Sequence, residues 1–584
     1  MRNSRNLAQA MAIVGVVAGG LYLLPVLWGR TLTGHESVQP QTSREMVQGG
    51  HWLIPTVGGD AWLERPPPPM WWIAGIYTMG GCNRSEALAR LAAVLAALPT
   101  LLLTVAIAYR LFGGAVAIMA GLILATMHEF FAYAINPEAD IFLCLLVTAV
   151  IATFVHLEFA PGGQRRAAPA ASAGGLWGRR SWTMVLFFLL VGGTNWAKGL
   201  LFGSVMALAP VAAFLLSDVI QRRSWAPLQP YLWGWGILLA LAAASAWPLA
   251  VIGQYPEIVQ LWQEHYLGRL HRGYLREPWW YYAVQLPYVL LPWTLAALAG
   301  GLVCRSAVQH QAGRERFVVL WAVTTPLLLS LADGKHHHYL LYCLGGWAIL
   351  AALGLRPLWL WCRQQMPSGL TVPVGGGLLS ALLVAITGGL LRQYLPGQWA
   401  TVVVATLFAL LAGVVVLQGC RHRDPRRAFA AILAPVVAAY AMWIPYQAAF
   451  LDDYHSDLTF LQQAEQMIPD SAVVLVQFDW TAPLETFWVL YHLQRPGVLI
   501  RDPWQAAEKT ASTQTVPHEA YVLARRLDYP VYAQAASVET LLESAYTRGE
   551  KQPQQRRVLY RLRFPATLPP APEEYLRLVR RTLW

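Results

Sequence analysis

The sequence predicts a polytopic α-helical membrane protein that ends in a smaller α/β domain. Of its 584 residues, 56% are hydrophobic, and the mean hydropathy is +0.40, which is more apolar than a soluble fold can bury. Apolar runs of about 20 residues, long enough to cross a bilayer, recur as far as residue 446. After Pro445 the composition turns polar, beginning with Asp452 and Asp453. We therefore expect a transmembrane domain over 1–446 and a soluble domain over 447–584.

The apolar runs predict about thirteen membrane-spanning helices by the length criterion. They lie near 8–29, 87–108, 113–133, 138–158, 182–197, 199–217, 231–252, 282–303, 317–332, 338–355, 373–391, 399–419 and 428–446. An odd number of spans places the two termini on opposite sides of the membrane. Every second short loop is rich in arginine, so the positive-inside rule places the N-terminus in the cytoplasm and the C-terminal domain outside.

Composition and short motifs exclude several other classes of protein. The net charge of +11 lies mostly in short loops between apolar runs, where it sets topology, so we expect no nucleic-acid partner. The six cysteines stand singly, without Cys-x-x-Cys spacing, so neither a disulfide framework nor a zinc knuckle is indicated. Gly-x-Gly-x-x-Gly and Walker patterns do not occur in the C-terminal domain, which gives no sign of nucleotide binding.

The first outer loop, 31–85, is polar although only 13% of the chain is charged. Hydroxyl residues at 42–43 and glycines at 49–50 predict a short helix that lies along the membrane interface. Four prolines, 66–69, predict an extended polyproline segment. The apolar run 70–79 is too short to span the hydrocarbon core, so it should lie in the surface plane, with Trp71 and Trp72 at headgroup depth. The loop should therefore carry interfacial helices.

The region after residue 446 alternates between strand-like and helix-like patterns. Strands are predicted at 472–478, 496–500 and 556–564, and helices at 484–493, 518–527 and 538–546. Such alternation is typical of an α/β domain. We interpret it as an extracytoplasmic domain that docks an acceptor or has a structural role, rather than as the catalytic unit.

The first loop carries motifs in a characteristic order. They are His35-Glu36, Ser43-Arg44-Glu45-Met46, a Gly-x-Trp-x-x-Pro pattern from Gly50 to Pro55, Glu64-Arg65-Pro66-Pro67 and Trp71-Trp72. This order resembles the bacterial aminoarabinose (lipid A) transferase and protein O-mannosyltransferase superfamily of GT-C glycosyltransferases. The resemblance implies a GT-C fold in the bacterial inner membrane, and inverting transfer of a sugar from a polyprenyl-phosphate carrier. The family usually has Asp-Glu in place of His35-Glu36 and Glu-Lys-Pro in place of Glu64-Arg65-Pro66.

Glu36 and Asp140 are the candidate catalytic carboxylates. Glu36 follows the first predicted helix, and we prefer it as the base for the acceptor hydroxyl, with His35 as its neighbour. An alternative gives the base role to His35, because imidazole titrates near neutrality. Asp140 lies near the start of a predicted helix, where an acid can simply complement the helix dipole. The resemblance makes Asp140 the second catalytic carboxylate.

Six residues are candidates for binding the donor phosphate: Arg65, Lys198, Arg269, Arg272, Lys335 and Tyr339. Lys198 interrupts a nearly continuous apolar sequence, and an ionisable residue there favours a functional role. By resemblance, Arg269 matches the lipid-phosphate arginine of the family, whereas Arg272 could equally be solvated or pair with lipid headgroups. Lys335 and Tyr339 match a Gly-Lys that is followed by Tyr in the family.

Three consecutive histidines, 336–338, raise the question of a metal-binding site. Adjacent residues rarely point at one ion, and no His-x-x-x-His pair accompanies them, so we do not expect this run to hold a metal. By resemblance, the ligands of a divalent ion would be Glu36, Glu64 and His265. The sequence indicates no other cofactor.

Together these patterns predict a membrane glycosyltransferase. Its partners would be an undecaprenyl-phosphate or similar polyprenyl-phosphate sugar donor, membrane lipids, and an extracytoplasmic acceptor that is lipid A, another glycan or a protein. Two alternatives stay open. A secondary transporter would place ionisable groups near the midplane and show repeats, whereas here they collect at one face. A non-catalytic polyprenyl-lipid-binding protein is the other alternative, because His35 replaces the aspartate of the family.

Overall fold

The computed structural model describes residues 2–166, 179–199, 201–256, 258–263, 276–309, 313–365, 425–450, 454–513, 519–545, 553–565 and 569–570. Its first helices are α1 (Arg2–Trp28), α2 (Val38–Gly49), α3 (Pro68–Met79), α4 (Glu86–Phe112), α5 (Gly114–Ala125), α6 (His128–Ala134), α7 (Ala139–Glu158), α8 (Arg179–Gly193), α9 (Asn195–Lys198) and α10 (Phe202–Arg222). They are followed by α11 (Gly234–Ile252), α12 (Tyr281–Val289), α13 (Thr294–Gln309), α14 (Gly313–Leu329), α15 (Leu344–Gln365) and α16 (Pro425–Phe450). Two 3-10 helices, Gln229–Leu232 and His337–Cys343, precede α11 and α15.

The described residues form an α-helical membrane protein, as the sequence predicts. Six helices are long and apolar enough to cross a membrane, and the number rises to eight if each of two bent pairs is one span. The bent pairs are α5 with α6, at 69°, and α12 with α13, at 113°. The spans predicted at 373–391 and 399–419 lie outside the described residues. The total of thirteen spans therefore stays a prediction.

Helix α4 illustrates why these helices begin and end where they do. At its start, Ser85 Oγ accepts a hydrogen bond from the Leu88 N–H at 3.2 Å, which caps the first turn. Glu86 lies in the first turn and Arg110 in the last, and both charges complement the helix dipole. Gly113, with φ of +89°, ends the helix in a conformation that favours glycine. The predicted span 87–108 lies within α4, and α4 packs against α1, α5 and α7.

The first loop differs from the sequence prediction in two places. A helix is confirmed here and Gly50, with φ of +71°, caps its end, but the helix begins at Val38, so Thr42 and Ser43 lie inside it rather than near its start. It packs on the C-terminal domain, and its Met46 is fully buried there. The Met46 face of α2 is therefore covered by the domain, whereas Val47 packs against the core of the membrane helices. The extended polyproline prediction over 66–69 is wrong for Pro68 and Pro69, which occupy the first turn of α3, where a missing N–H costs no helical hydrogen bond.

The C-terminal domain is a five-stranded mixed sheet with helices. After the small hairpin of β1 (Thr56–Val57) and β2 (Asp60–Ala61) in the first loop, its strands are β3 (Val474–Gln477), β4 (Gly497–Ile500), β5 (Glu519–Arg525), β6 (Ser537–Glu543) and β7 (Arg557–Arg563). Their order is β4-β3-β5-β7-β6. The pairs β4-β3 and β3-β5 are parallel, and β5-β7 and β7-β6 are antiparallel. The helices are α17 (His455–Met467), α18 (Pro483–His492), α19 (Pro503–Thr513) and α20 (Tyr529–Ala535).

Two of the predicted elements in this domain are wrong. The segments 518–527 and 538–546 were expected to be helices, but they contain the strands β5 and β6. Strand β5 lies between β3 and β7 and is buried on both faces, so it forms a continuous apolar run without the alternation that marks a half-exposed strand. Strand β6 is an edge strand on which Glu539 is exposed, and a charge on an edge strand keeps it from pairing with other chains.

The first loop and the C-terminal domain share one core. Met46, Trp62 and Met70 of the loop pack with the domain side chains Phe487 and Trp488. Polar contacts join the same surfaces. The Arg44 guanidinium donates to the Leu490 carbonyl at 2.8 Å. The Arg501 and Lys509 side chains of the domain both bind Asp60 of the loop, at 2.7 and 3.0 Å. The domain is thus fixed to the loop that carries the sequence motifs.

Candidate active site

Asp140 lies at the centre of a buried polar cluster. It stands in the first turn of α7 and is 1% exposed. Its Oδ1 accepts a hydrogen bond from the Tyr342 hydroxyl at 2.7 Å, and it forms an ion pair with Lys198. His338 Nε2 lies 4.0 Å from the same oxygen. A helix-dipole role does not account for these three partners, which come from α9 and the 3-10 helix before α15.

Lys198 ends the short helix α9, which Gly199 follows with φ of +101°. The short helix α9 packs against α7. Its ammonium lies 4.6 Å from the ring centroid of Tyr339 and 5.7 Å from that of Phe202, so one carboxylate and two aromatic faces surround it. Lys198 and Tyr339, both predicted donor-site residues, therefore meet at Asp140.

His35 forms a second carboxylate pair beside this cluster. Its Nδ1 lies 2.8 Å from Glu138 Oε2, and the side chains are 40% and 8% exposed, respectively. Among the described residues, Glu138 Oε2 is buried and makes no hydrogen bond of good geometry, so its 2.8 Å contact with His35 Nδ1 is an ion-pair contact. Nothing in the described part of the chain binds His35 Nε2. The negative charge of Glu138 raises the pKa of His35 above 6.5, against the opposing effects of burial and of the Arg65 charge. The imidazole therefore has one nitrogen fixed and one available.

Glu36, the preferred base, has a different environment. It is 1% exposed, and both carboxylate oxygens accept hydrogen bonds from the Arg30 guanidinium at 2.8 Å. The Thr33 N–H also donates to it at 2.8 Å. Burial alone would raise the pKa of Glu36, but the charges of Arg30 and Arg90 and these hydrogen bonds lower it to about 2. Such a carboxylate is a poor proton acceptor near neutral pH.

Glu129 and His337 form a further pair that the sequence analysis did not anticipate. Glu129 on α6 is 1% exposed, and its Oε1 lies 2.7 Å from His337 Nδ1. Tyr133, on the same helix, lies with its ring centroid 5.5 Å from that of His338. The histidine run thus contacts two separate carboxylates, Glu129 and Asp140. From the sequence, Glu138 has the same helix-dipole explanation as Asp140, and Glu129 falls near the end of the predicted span 113–133, so neither was a candidate site residue.

The remaining predicted residues lie around this cluster or outside the described chain. Arg65 Nε lies 3.6 Å from Glu64 Oε1, and Arg65 is close enough to His35 to affect its pKa. Lys335 is 3% exposed, and its ammonium donates to the carbonyls of Glu277, at 2.9 Å, and Ala332. No described carboxylate forms an ion pair with Lys335. Arg269, Arg272 and His265 lie outside the described residues.

In the part of the chain that the structure describes, the residues predicted to bind a metal do not form a ligand set. No three His, Cys, Asp or Glu side chains are grouped there so that they could hold an ion. Glu64 lies beside Arg65, and Arg30 engages Glu36. Because His265 lies outside the described residues, a divalent ion stays a prediction.

Parts of this chain that carry the cluster are similar in sequence to known proteins. Residues 64–166, which include Arg65, Glu138 and Asp140, match the family described as dolichyl-phosphate-mannose-protein mannosyltransferase. An undecaprenyl phosphate-α-4-amino-4-deoxy-L-arabinose arabinosyl transferase of Edwardsiella ictaluri is 31% identical over 57% of this chain and 57% of its own length. The transferase of the same name from Shewanella sediminis is 25% identical over 79% of this chain and 81% of its own. The chain is thus similar to aminoarabinose transferases and, over residues 64–166, to protein mannosyltransferases.

A solved structure supports the GT-C fold over nearly the whole chain. The crystal structure of ArnT from Cupriavidus metallidurans bound to undecaprenyl phosphate superposes with a TM-score of 0.71 at 17% sequence identity. The match covers 94% of this chain and 97% of that one, so it includes the C-terminal domain. The protein therefore has the GT-C fold that the first-loop motifs predict.

Proposed function

We propose that this chain transfers a sugar, with inversion, from a polyprenyl-phosphate carrier such as undecaprenyl phosphate to an extracytoplasmic acceptor. Lipid A, another glycan and a protein are the acceptor classes. The observation that carries the proposal is the meeting of Asp140, Lys198, Tyr339 and Tyr342 beside the His35–Glu138 pair. This arrangement offers cations for a leaving phosphate and a group that can accept a proton. The proposal places the cluster and the C-terminal domain on the periplasmic side of the inner membrane and the N-terminus in the cytoplasm.

The cations act on the leaving group in this proposal. Phosphate is already a good leaving group, so the protein contributes mainly by positioning it and by stabilising its charge. Lys198, Arg65 and Lys335 are the described candidates, and Lys335 is buried without a carboxylate partner in the described chain. Its charge would be balanced when the donor phosphate binds. Arg269 and Arg272 complete the proposed set by resemblance.

His35 is the proton acceptor in this proposal, with Glu138 as its positioning residue. As the acceptor oxygen forms its bond to the anomeric carbon, the bond from that carbon to the phosphate oxygen breaks and the carrier phosphate leaves. The hydroxyl proton passes to His35 Nε2, while Glu138 holds Nδ1. Glu36 instead has a structural role, because Arg30 and the Thr33 N–H occupy its carboxylate. Asp140 holds the Lys198 ammonium rather than taking the proton.

Purified protein can test this function directly. The protein in nanodiscs is mixed with undecaprenyl phosphate carrying a labelled sugar and with lipid A, and the products are analysed by mass spectrometry. Release of sugar-free undecaprenyl phosphate together with modified lipid A is the expected result. A transporter would move the substrate without breaking the bond, and a lipid-binding protein would retain the intact donor. Either of these results would contradict the proposal, whereas label on a glycan or protein acceptor would identify the acceptor class.

The pH dependence of transfer should report the protonation of His35. The base must be neutral, so the rate should fall as the pH falls through the His35 pKa, which Glu138 raises above 6.5. In Glu138→Gln the negative charge is lost, and the acid limb of the rate profile should move to lower pH. His35→Ala should reduce the maximal rate by about 10²–10⁴-fold, the usual contribution of a general base. An unchanged acid limb in both variants would remove His35 from the proton transfer.

Lys335 should contribute to donor binding. In Lys335→Met the buried ammonium is lost, and the Kd for undecaprenyl phosphate should rise about tenfold or more, because a charge-assisted hydrogen bond to phosphate contributes roughly 1.5–3 kcal/mol. Lys335→Arg keeps the charge and should retain part of the affinity. Binding is measured by native mass spectrometry or microscale thermophoresis. Equal affinities for wild type and Lys335→Met would exclude Lys335 from the phosphate site.

A further inference from the structure

We propose that the C-terminal domain positions the His35 loop, and that Tyr454 is the residue through which it does so. This inference rests on the proposed function, since it assigns a role in transfer to the domain. In addition to the shared core and the contacts of Arg44 and Asp60, the domain binds the first loop at the Gly34 amide, which directly precedes His35. The Tyr454 hydroxyl is thus a positioning group, and the domain becomes part of the catalytic unit rather than a separate docking module.

The contact lies between Gly34 and Tyr454. The Gly34 N–H donates a hydrogen bond to the Tyr454 hydroxyl at 3.1 Å, and that hydroxyl donates to Glu485 Oε1 at 2.9 Å. Tyr454 is 4% exposed, so water does not readily replace these bonds. A buried amide that loses its acceptor costs about 1–3 kcal/mol. The loop therefore has a clear energetic preference for the position in which Gly34 meets Tyr454.

Close packing at Gly34 restricts the loop further. A Cβ atom at this position would lie 3.0 Å from Glu485 Oε1 and 3.0 Å from the Leu484 carbonyl oxygen. This spacing is tighter than ordinary van der Waals contact, so the backbone of the loop lies directly against the start of α18. Glycine is the residue that permits this approach. The position of the following residue, His35, is therefore set partly by the domain surface.

The domain surface that contacts Gly34 is stabilised by buried ion pairs and hydrogen bonds. Glu485 Oε2 accepts from the Arg557 guanidinium at 2.6 Å, and the same guanidinium donates to Asp457 Oδ2 at 2.9 Å. Asp457 also accepts from the Ser544 hydroxyl at 2.8 Å. These residues come from α18, β7, α17 and the end of β6, so four elements fix the carboxylate to which Tyr454 donates. A network with every member bonded is rigid.

His35 is thereby held from two sides. The C-terminal domain fixes the backbone just before it through Tyr454, and α7 fixes its imidazole through Glu138. A base that accepts a proton from a bound hydroxyl must lie within hydrogen-bond reach of it, and a displacement of about 1 Å can reduce the rate by about 10²-fold. Loss of the Tyr454 contact should therefore lower the turnover number more than the donor affinity.

The test compares Tyr454→Phe with Tyr532→Phe in the full-length protein. Tyr532 is a buried tyrosine of the same domain whose hydroxyl donates to Gln477 and whose side chain packs in a core cluster of domain residues, so it controls for loss of a buried hydroxyl. We expect kcat to fall about 10–100-fold in Tyr454→Phe, with the donor KM and the acid limb of the pH profile unchanged. Tyr532→Phe should retain the wild-type kcat. Gly34→Ala, which crowds the same contact, should resemble Tyr454→Phe.

Hydrogen–deuterium exchange gives a readout that does not need activity. The peptide that contains Gly34 should exchange faster in Tyr454→Phe than in wild type, and should be unchanged in Tyr532→Phe. Equal kcat values in the two tyrosine variants, or equal exchange of that peptide, would overturn the inference. If wild type shows no sugar transfer, the proposed function fails, whereas the exchange experiment still decides whether Tyr454 holds the loop.

Discussion

Replacing Asp140 with Asn should reduce sugar transfer by about 10²–10³-fold, the loss typical of removing one electrostatic group from an active site. The asparagine has nearly the same shape but carries no charge to hold the Lys198 ammonium. A buried ammonium without a carboxylate is unfavourable, so the lysine should lose its proton or move away. Either change removes a cation from the proposed phosphate site. Single-turnover rates with saturating donor measure the effect on the chemical step.

A double variant separates this catalytic effect from a loss of stability. Breaking a buried ion pair by removing one partner costs about 3–5 kcal/mol, whereas replacing both partners with apolar residues is often neutral. Asp140→Leu combined with Lys198→Met should therefore recover the thermal unfolding midpoint that Asp140→Asn loses. It should not recover sugar transfer, because the cation is still missing.

Asp218 provides a matched control. It is also buried, at 1% exposure, and is paired with Arg165 and Arg316. It lies sixteen residues beyond the first residue of α10, Phe202, or roughly 24 Å along that helix at 1.5 Å per residue. Asp218→Asn should lower the unfolding midpoint while leaving transfer near the wild-type rate below that midpoint. If Asp140→Asn behaves like Asp218→Asn, Asp140 has a structural role only.

The sequence predicts the helices well where one physical property decides the outcome. The span 87–108 lies within Glu86–Phe112 because uniform hydropathy requires a helix in lipid and Ser85 and Gly113 supply its ends. The segment 518–527 fails because its apolar run suits either a helix or a strand buried on both faces. Only its pairing with β3 and β7, which are distant in the sequence, decides between them.

The candidate site, too, is predicted only in part by the sequence. The motifs identify the loop that carries His35 and Glu36, but they do not show which of the two neighbours is available for chemistry. That depends on Arg30 and Arg90, which surround Glu36, and on Glu138, which approaches His35 from the start of α7. Such contacts form only after the chain has folded. These contacts are the reason that the proposed function assigns the base to His35 rather than to Glu36.

Arg557→Met should produce the largest loss of stability in the C-terminal domain. The Arg557 guanidinium binds Asp457 and Glu485, and both carboxylates are buried. Without the arginine, two buried negative charges lose their common partner, and breaking a buried pair in this way costs about 3–5 kcal/mol. The unfolding midpoint of the domain, followed by intrinsic tryptophan fluorescence in the full-length protein, should fall clearly. Arg561→Met on the same strand is the control, because its guanidinium pairs with Glu539 and Glu519 at the exposed surface and surface pairs contribute little.

Arg557→Met also tests whether the buried charges of the domain affect sugar transfer. Glu485 accepts hydrogen bonds from both Arg557 and Tyr454, so loss of the guanidinium should also loosen the contact with Gly34. Well below its unfolding midpoint, Arg557→Met should therefore show a reduced kcat and faster exchange of the Gly34 peptide, whereas Arg561→Met should show neither. A variant with a lowered midpoint but wild-type kcat and exchange would mean that the buried charges stabilise the domain without acting on the first loop. That result would confine the role of the domain to stability, because the path from Arg557 to His35 passes through Glu485 and Tyr454.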